Sequence, residues 1–315
     1  MPTKSPTTKR FPIGSLGVGH NLWMQKKGAV FVSIVVFVYL CKDMRLYTIK
    51  QTILGLTATM LLSGCGAFDI HPYDVDVKGA TSINSRNIRQ IEQATQGKDT
   101  LRFACISDTH QWYTDMRDAL NDINRRKDSI DFVIHCGDLT DTGTNKEFEW
   151  CDRVMGNLQL PYVAMIGNHD FLGTGEEYYV KKYGTKNISM IAGRVKFVFL
   201  NTNATEYDHV ASVPDLNYIR LQAEEDTDKF DRTIVLMHAR PYSDQFNNNI
   251  AEPFEYYLQN FLKPMFCING HDHSTKIDDI FNDGLIYYGL PSVVKRKYLI
   301  FTITPSSYHY EIVDF

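Results

Sequence analysis

Seven residues of metal-ligating type stand at the ends of short apolar runs. They are Asp108 and His110 in Ser-Asp-Thr-His, Asp138 in Gly-Asp-Leu-Thr-Asp, Asn168 in Gly-Asn-His-Asp, His238 after Ile-Val-Leu-Met, and His271 with His273 in Gly-His-Asp-His. Two carboxylates, one amide oxygen and four imidazoles make a mixed set of oxygen and nitrogen donors, and Asp138 can bridge through its two oxygens. Such a set suits two borderline divalent ions, for example Mn, Fe, Zn or Co, better than Ca or Cu(I). Two ions roughly 3.5 to 4 Å apart can stabilise both the attacking and the leaving oxygen of an in-line displacement at phosphorus. Phosphoester hydrolysis is the chemistry that this arrangement serves.

The spacing says what must position these groups. Asp108 to Asp138 is 30 residues and Asp138 to Asn168 another 30, about one βαβ crossover, so the three motifs line up along one edge of a sheet. Ligands of open α/β sheets bind in the crevice beyond the carboxyl ends of the strands. The hydrophobic pattern predicts a tether from residue 66, a helix over 85–96, strands at 101–107, 131–136 and 161–166, and helices at 115–127, 145–158 and 176–183. A hairpin at 188–191 and 195–200 follows, then a helix at 214–229, a strand at 233–237, a helix at 252–262 and a strand at 265–268. Further β-runs fall at 275–281, 285–288, 298–303 and 308–313. Apolar β-rich runs separated by helical periods argue for one α/β domain, 101–315, with mixed and layered sheets.

In their order and composition the five blocks resemble the calcineurin-like metallophosphoesterases, whose pattern is DxH, GDxxD, GNH followed by an acid, a lone His, and GHxH. The likeness runs from Asp108 to His273. It implies two mixed β-sheets sandwiched between helices, and two divalent ions. Asp108, His110, Asp138 and His273 would hold the first ion, and Asp138, Asn168, His238 and His271 the second. It also implies that His169 faces the substrate as proton donor to the leaving alkoxide, oriented by Asp141, because a neighbouring carboxylate fixes an imidazole's tautomer and keeps it a competent acid near neutral pH. Thr142 stands where the protein Ser/Thr phosphatases of the family carry Arg, and the fourth block is His-Ala-Arg-Pro instead of His-Gly-Gly. The chain is therefore more similar to the phosphodiesterases and acid phosphatases that bear GHxH, which implies a small or lipid-linked phosphoester substrate. Arg240 is a candidate phosphate contact, with Asn203, Tyr207 and Tyr242 as further loop candidates. Asp170 and Asp272 read as loop acids that support ligands, and His135, inside a strand, as a core histidine with satisfied nitrogens. A nuclease of the same fold and a metal-binding module without catalysis are the alternatives.

Charge separates the N-terminal segment from the rest. Residues 1–65 hold eight of the 33 Lys and Arg but one of the 37 acids, leaving 25 bases against 36 acids, a net charge of −11 on the remainder. Such a body lacks the basic field that neutralises nucleic-acid phosphates, so no nucleic-acid partner is expected. Residues 44–50 are basic, 53–62 apolar, and Leu62-Ser63-Gly64-Cys65 follows. That succession resembles a bacterial lipoprotein signal, which implies lipidation of Cys65 and a membrane-anchored protein of the cell envelope facing periplasm or exterior. Residues 1–43 read as an over-extended start, and the apolar run 29–41 within them falls short of the roughly 20 residues of a membrane span. Six cysteines are too few for a disulfide scaffold. Cys105, Cys136, Cys151 and Cys267 read as buried thiols, with disulfides permissible only in an oxidising compartment.

Overall fold

The computed structural model describes residues 49–55, 57, 74–208 and 210–315. Cys65 and the apolar run 29–41 lie outside the described residues. The chain divides into two compact units, Met1–His71 and Pro72–Phe315. In the first, residues 49–55 and 57 are helical. Among the described residues no helix is long and apolar enough to cross a membrane.

All five motif blocks lie in the second unit. Its elements run in the order α1 (Ile83–Thr95), β1 (Leu101–Ile106), α2 (Tyr113–Arg125), β2 (Phe132–His135), α3 (Asn145–Met155), β3 (Tyr162–Ala164) and α4 (Gly175–Lys182). Then come β4 (Ile188–Ala192), β5 (Val195–Leu200), α5 (Leu216–Glu224), β6 (Arg232–Met237), α6 (Ala251–Gln259), β7 (Pro264–Asn269), β8 (Ile277–Asp278), β9 (Tyr287–Gly289), β10 (Lys297–Ile303) and β11 (Tyr308–Asp314). They form two mixed sheets, ordered β11-β10-β1-β2-β3 and β4-β5-β6-β7-β9-β8. Within them β1, β2 and β3 are mutually parallel, as are β5, β6, β7 and β9.

Strand alternation builds the layers. In β1, Leu101, Phe103 and Cys105 face the inner core while Ala104 and Ile106 face the helices outside. In β6, Ile234 and Leu236 turn inward, and Val235 and Met237 turn toward α5 and α6. Both faces of these strands are covered, which is why they are apolar at successive positions instead of alternating with polar residues. The inner core joins the two sheets through aromatic rings. Phe103 stacks against Phe132 and Phe301 at 5.2 and 5.4 Å and meets Phe197 of the opposite sheet edge-on at 5.2 Å. Helix α1 packs into the same body, with Ile91 in the inner core and the Asn84 side chain donating to the Ala164 carbonyl at 2.8 Å.

Three elements differ from expectation. The helix expected over 214–229 is confined to Leu216–Glu224: Asp215 caps it by accepting from the backbone N–H groups of Asn217 and Tyr218, and the charged stretch that follows has no apolar face to bury. The β-run expected over 275–281 contracts to Ile277–Asp278, because the Asp279 carboxylate accepts from the N–H groups of Asp283 and Gly284 and closes a turn instead. The next run shifts to Tyr287–Gly289, where it pairs in parallel with β7.

Truncating the ring that joins the sheets measures how far the inner core holds the domain together. Phe103→Ala should lower the unfolding free energy by about 3–5 kcal/mol, read by urea denaturation; a loss near zero would show that the contact between the sheets does not depend on this ring.

Candidate metal centre

Each ligand motif leaves the C-terminal end of a parallel strand. Ser107-Asp108-Thr109-His110 follows β1, Gly137-Asp138 follows β2 and Gly167-Asn168-His169 follows β3 in one sheet; His238 follows β6 and Gly270-His271-Asp272-His273 follows β7 in the other. The turns after the strands are sharp. Five ligand residues, Asp108, His110, Asp138, His271 and His273, have φ between 46° and 67°, a left-handed backbone that costs on the order of 1 kcal/mol or more at a non-glycine residue and persists only where its surroundings impose it. Backbone bonds impose it here: the N–H groups of Thr109 and His110 donate to the Asp138 carbonyl at 2.8 and 3.1 Å, and the Asp108 N–H donates to the Gly137 carbonyl at 3.0 Å. The glycines admit this close approach. A Cβ at Gly167 would lie 2.1 Å from Asp138 Oδ1, and one at Gly270 would lie 2.3 Å from Ser107 Oγ.

The donor atoms converge in two groups. In the first, His273 Nε2 is 3.3 Å from Asp108 Oδ1 and 3.1 Å from His110 Nε2, which is 3.5 Å from Asp138 Oδ2. These four residues each place a ligand atom within 4.8 Å of the others. In the second, His238 Nε2 is 3.2 Å from the same Asp138 Oδ2 and 3.1 Å from Asn168 Oδ1, which is also 3.1 Å from His271 Nδ1. Asp138 therefore joins the groups through one oxygen, Oδ2, and not through both. Its Oδ1 accepts from the His169 N–H at 3.0 Å.

This donor set fits cations. Ligand atoms held about 2.0–2.2 Å from a divalent ion lie about 3–3.5 Å from one another, and Asp108 Oδ2 is buried without a hydrogen-bond partner. Burial disfavours a charged His238, yet the Asp138 carboxylate beside it lifts the ring to about 10. The same contact outweighs burial at Asp138 and holds its carboxyl well below the usual carboxylate range. Binding of a metal here would compete with protonation of His238. The His238 tautomer suits ligation: Nδ1 donates to the Cys136 carbonyl at 2.7 Å and leaves Nε2 to the crevice.

His169 stands beside both groups, its ring centroid 4.5 Å from that of His110. Its Nδ1 donates to the backbone carbonyl of Asp141 at 2.7 Å, whereas the Asp141 carboxylate is 3.9 Å from that nitrogen and closer, 3.4 Å, to His110 Nδ1. Asp141 thus orients His169 with its backbone more than with its side chain. Thr142, where the protein phosphatases carry Arg, donates through its hydroxyl to Glu147 at 2.7 Å and joins the capping box that starts α3.

The remaining candidates separate. Arg240 forms an ion pair with Asp272 and donates to the Pro241 carbonyl at 3.0 Å, so its guanidinium is engaged. Tyr207 donates to Glu176 at 3.0 Å and accepts from Lys186 at 2.7 Å; Tyr242 donates to Glu252 at 2.9 Å; Asn203 is buried and donates to the Ile166 carbonyl at 3.2 Å. Asp170 is wholly buried and accepts from Gly167 N, Leu139 N, Thr140 N and Thr140 Oγ1 at 2.8–3.1 Å, clamping the second block to the third. Burial, with the charge of Asp138, pushes its carboxyl up to about 7. His135 is half satisfied: Thr109 Oγ1 meets its Nε2 at 2.8 Å while Nδ1 has no partner, and burial pushes the ring down to about 4. The four described cysteines are buried free thiols. Two supporting groups carry no motif signal: Ser292, whose Oγ donates to the Asp108 carbonyl at 2.7 Å, and Asp244, 2.6 Å from His271 Nε2.

Residues 101–275 match the family model of the calcineurin-like phosphoesterases. The chain belongs to that family. Membership places it among the metal-dependent phosphoesterases, in agreement with the donor set. Over 48 residues it is 42% identical to a protein of Arcobacter nitrofigilis described as a probable glycerophosphodiester phosphodiesterase, a stretch covering 15% of this chain and 18% of that relative. Two solved structures share the fold of this calcineurin-like phosphoesterase. One is a purple acid phosphatase from yellow lupin (TM-score 0.55, 14% identity, 70% of this chain and 52% of the other). The other is GAP50, described as the anchor in the inner membrane complex of Plasmodium (TM-score 0.51, 12% identity, 69% and 85%).

Separate roles predict separate losses. Asp138→Asn should abolish metal loading and turnover together, whereas His169→Ala should retain metal and lower kcat by about 10²–10⁴-fold, most for substrates with poor leaving groups. Metal analysis beside steady-state kinetics decides; equal metal loss in both variants would merge the two roles.

Proposed function

We propose that the protein hydrolyses small or lipid-linked phosphoesters, diesters ahead of monoesters, with two divalent ions of the Mn, Fe or Zn type. The observation that carries this reading is the pair of donor groups sharing Asp138 Oδ2, with His169 beside them. Asp108, His110, Asp138 and His273 would hold one ion, and Asp138, Asn168, His238 and His271 the other. When bound, the two ions supply Lewis acidity toward the phosphoryl oxygens and a water of lowered pKa as nucleophile.

The chain's own residues do the rest. His169 donates Nδ1–H to the Asp141 carbonyl, which fixes the ring and leaves Nε2 for the leaving-group oxygen. Its backbone N–H holds Asp138 Oδ1, so the proton donor and the shared carboxylate keep a constant separation. The preference for diesters rests on charge. A phosphodiester carries one negative charge where a monoester carries nearly two at neutral pH, and the loops around the crevice bring Asp141, Asp244 and Asp272 while Arg240 is already paired. The relative of Arcobacter nitrofigilis is described as a probable glycerophosphodiester phosphodiesterase, which makes glycerophosphodiesters the first substrates to try. The same acidity speaks against a nuclease.

The proposed site of action is the bacterial cell envelope, reached through a lipid on Cys65.

With Mn added, kcat/KM for an aryl phosphodiester should exceed that for the monoester of the same leaving group by about tenfold or more. A reversed preference would make the enzyme a monoesterase, and salt-sensitive cleavage of single-stranded DNA would favour a nuclease. For the anchor, Cys65→Ser should move the protein from the membrane to the soluble fraction; if it stays with the membrane, residues 29–41 hold it there.

A further inference from the structure

We infer that Asp244 is a positioning residue for the second metal ion, acting through His271. The inference rests on the dinuclear reading given above. Asp244 lies six residues after His238, in the loop between β6 and α6, outside every ligand motif. Its carboxylate Oδ1 is 2.6 Å from His271 Nε2, and the opposite ring nitrogen, Nδ1, lies 3.1 Å from Asn168 Oδ1 in the second donor group. A carboxylate cannot donate, so Nε2 carries the proton and Nδ1 presents its lone pair to the crevice. A metal-bound imidazole whose other N–H meets a carboxylate is oriented and made more basic, and loss of that partner lowers metal affinity.

The loop fixes the backbone on either side of Asp244, while its side chain is 84% exposed. Ser243 donates through its N–H and its hydroxyl to the Arg240 carbonyl at 3.1 and 2.8 Å, and Asn248 Nδ2 donates to the Ser243 carbonyl at 2.9 Å. On the other side of Asp244, the Gln245 carbonyl accepts from the Ala204 N–H at 2.9 Å. The loop is also tied to the GHxH turn a second time, by the ion pair of Arg240 with Asp272. The two bonds flank the ligand from different residues of the same turn, so His271 is braced at its ring as well as along its backbone. Among the described residues no carboxylate pairs with His273 in this way: its Nε2 faces Asp108 and His110. Asp244 therefore acts on one ion and not on the other.

Stepwise Mn titration of the full-length protein by calorimetry, with metal content measured alongside, separates the possibilities. The wild type should bind two ions. Asp244→Ala should weaken one of them by about 10–100-fold and leave the other within about twofold, while Asp244→Asn, whose side-chain carbonyl can still accept from Nε2, should recover most of the loss. Thermal unfolding of the metal-free forms should be the same in all three, which excludes a general loosening of the loop. Two ions bound with unchanged affinities in Asp244→Ala would overturn the role of Asp244 alone. A wild-type stoichiometry of one would overturn the dinuclear reading and this inference with it.

Discussion

A single carboxylate oxygen, Asp138 Oδ2, lies within 3.5 Å of His110 Nε2 and 3.2 Å of His238 Nε2, and so belongs to both donor groups at once. Taking a carboxylate out of water is costly unless opposite charge and hydrogen bonds replace the lost hydration. Nearly everything near the crevice supplies that replacement. The His169 N–H takes Oδ1, and two imidazoles face Oδ2. The second carboxylate nearby, Asp170, is surrounded by four donors within the protein and is raised toward neutrality. Two buried acids close together thus have different fates, one kept charged for metal and one held by N–H and O–H groups as a clamp.

The fold exists around this constraint. His238 and Asp138 come from different sheets, so their contact depends on the sheets meeting at one spacing and orientation. The inner core of Phe103, Phe132, Phe197, Phe266 and Phe301 sets both. Rings that stack within a sheet and meet both edge-on and stacked between sheets resist sliding, because close-packed interiors lose contacts sharply on displacement. The crevice end of the sandwich is where this rigidity is used. Left-handed turns at Asp108, Asp138 and His271 are tolerated only because the strands beneath them cannot move to relieve the strain.

Much of this was legible in the chain. The strands at 101–107, 131–136, 161–166 and 195–200 have apolar side chains on both faces, and that pattern has few competing interpretations. The donor residues stand out because Gly-Asp, Gly-Asn and Gly-His pairs at strand ends combine a small residue for close approach with a ligand. Less legible were groups whose importance comes from a distant partner. Asp244 and Ser292 sit in loops without periodicity, and the ion pair of Arg240 with Asp272 could not be read from their positions in the chain. Asp141 was identified as the orienting acid, but the atom nearest His169 is its carbonyl, and no residue type announces what its backbone will do.

What the sequence by itself determined is the kind of chemistry and the order of the elements. Residue type sets which atoms can hold a metal, and the period of the apolar pattern sets which segments become strands or helices. The tertiary structure alone decided which atoms are neighbours: that Asp138 Oδ2 faces both His110 and His238, that His238 reaches it from the second sheet, and that Asp244 meets His271. The contacts of His238 with Asn168 and Asp138 span 70 and 100 residues along the chain. At such separations spacing carries no geometry, and only the packing of the two sheets against each other brings the groups within a few ångströms.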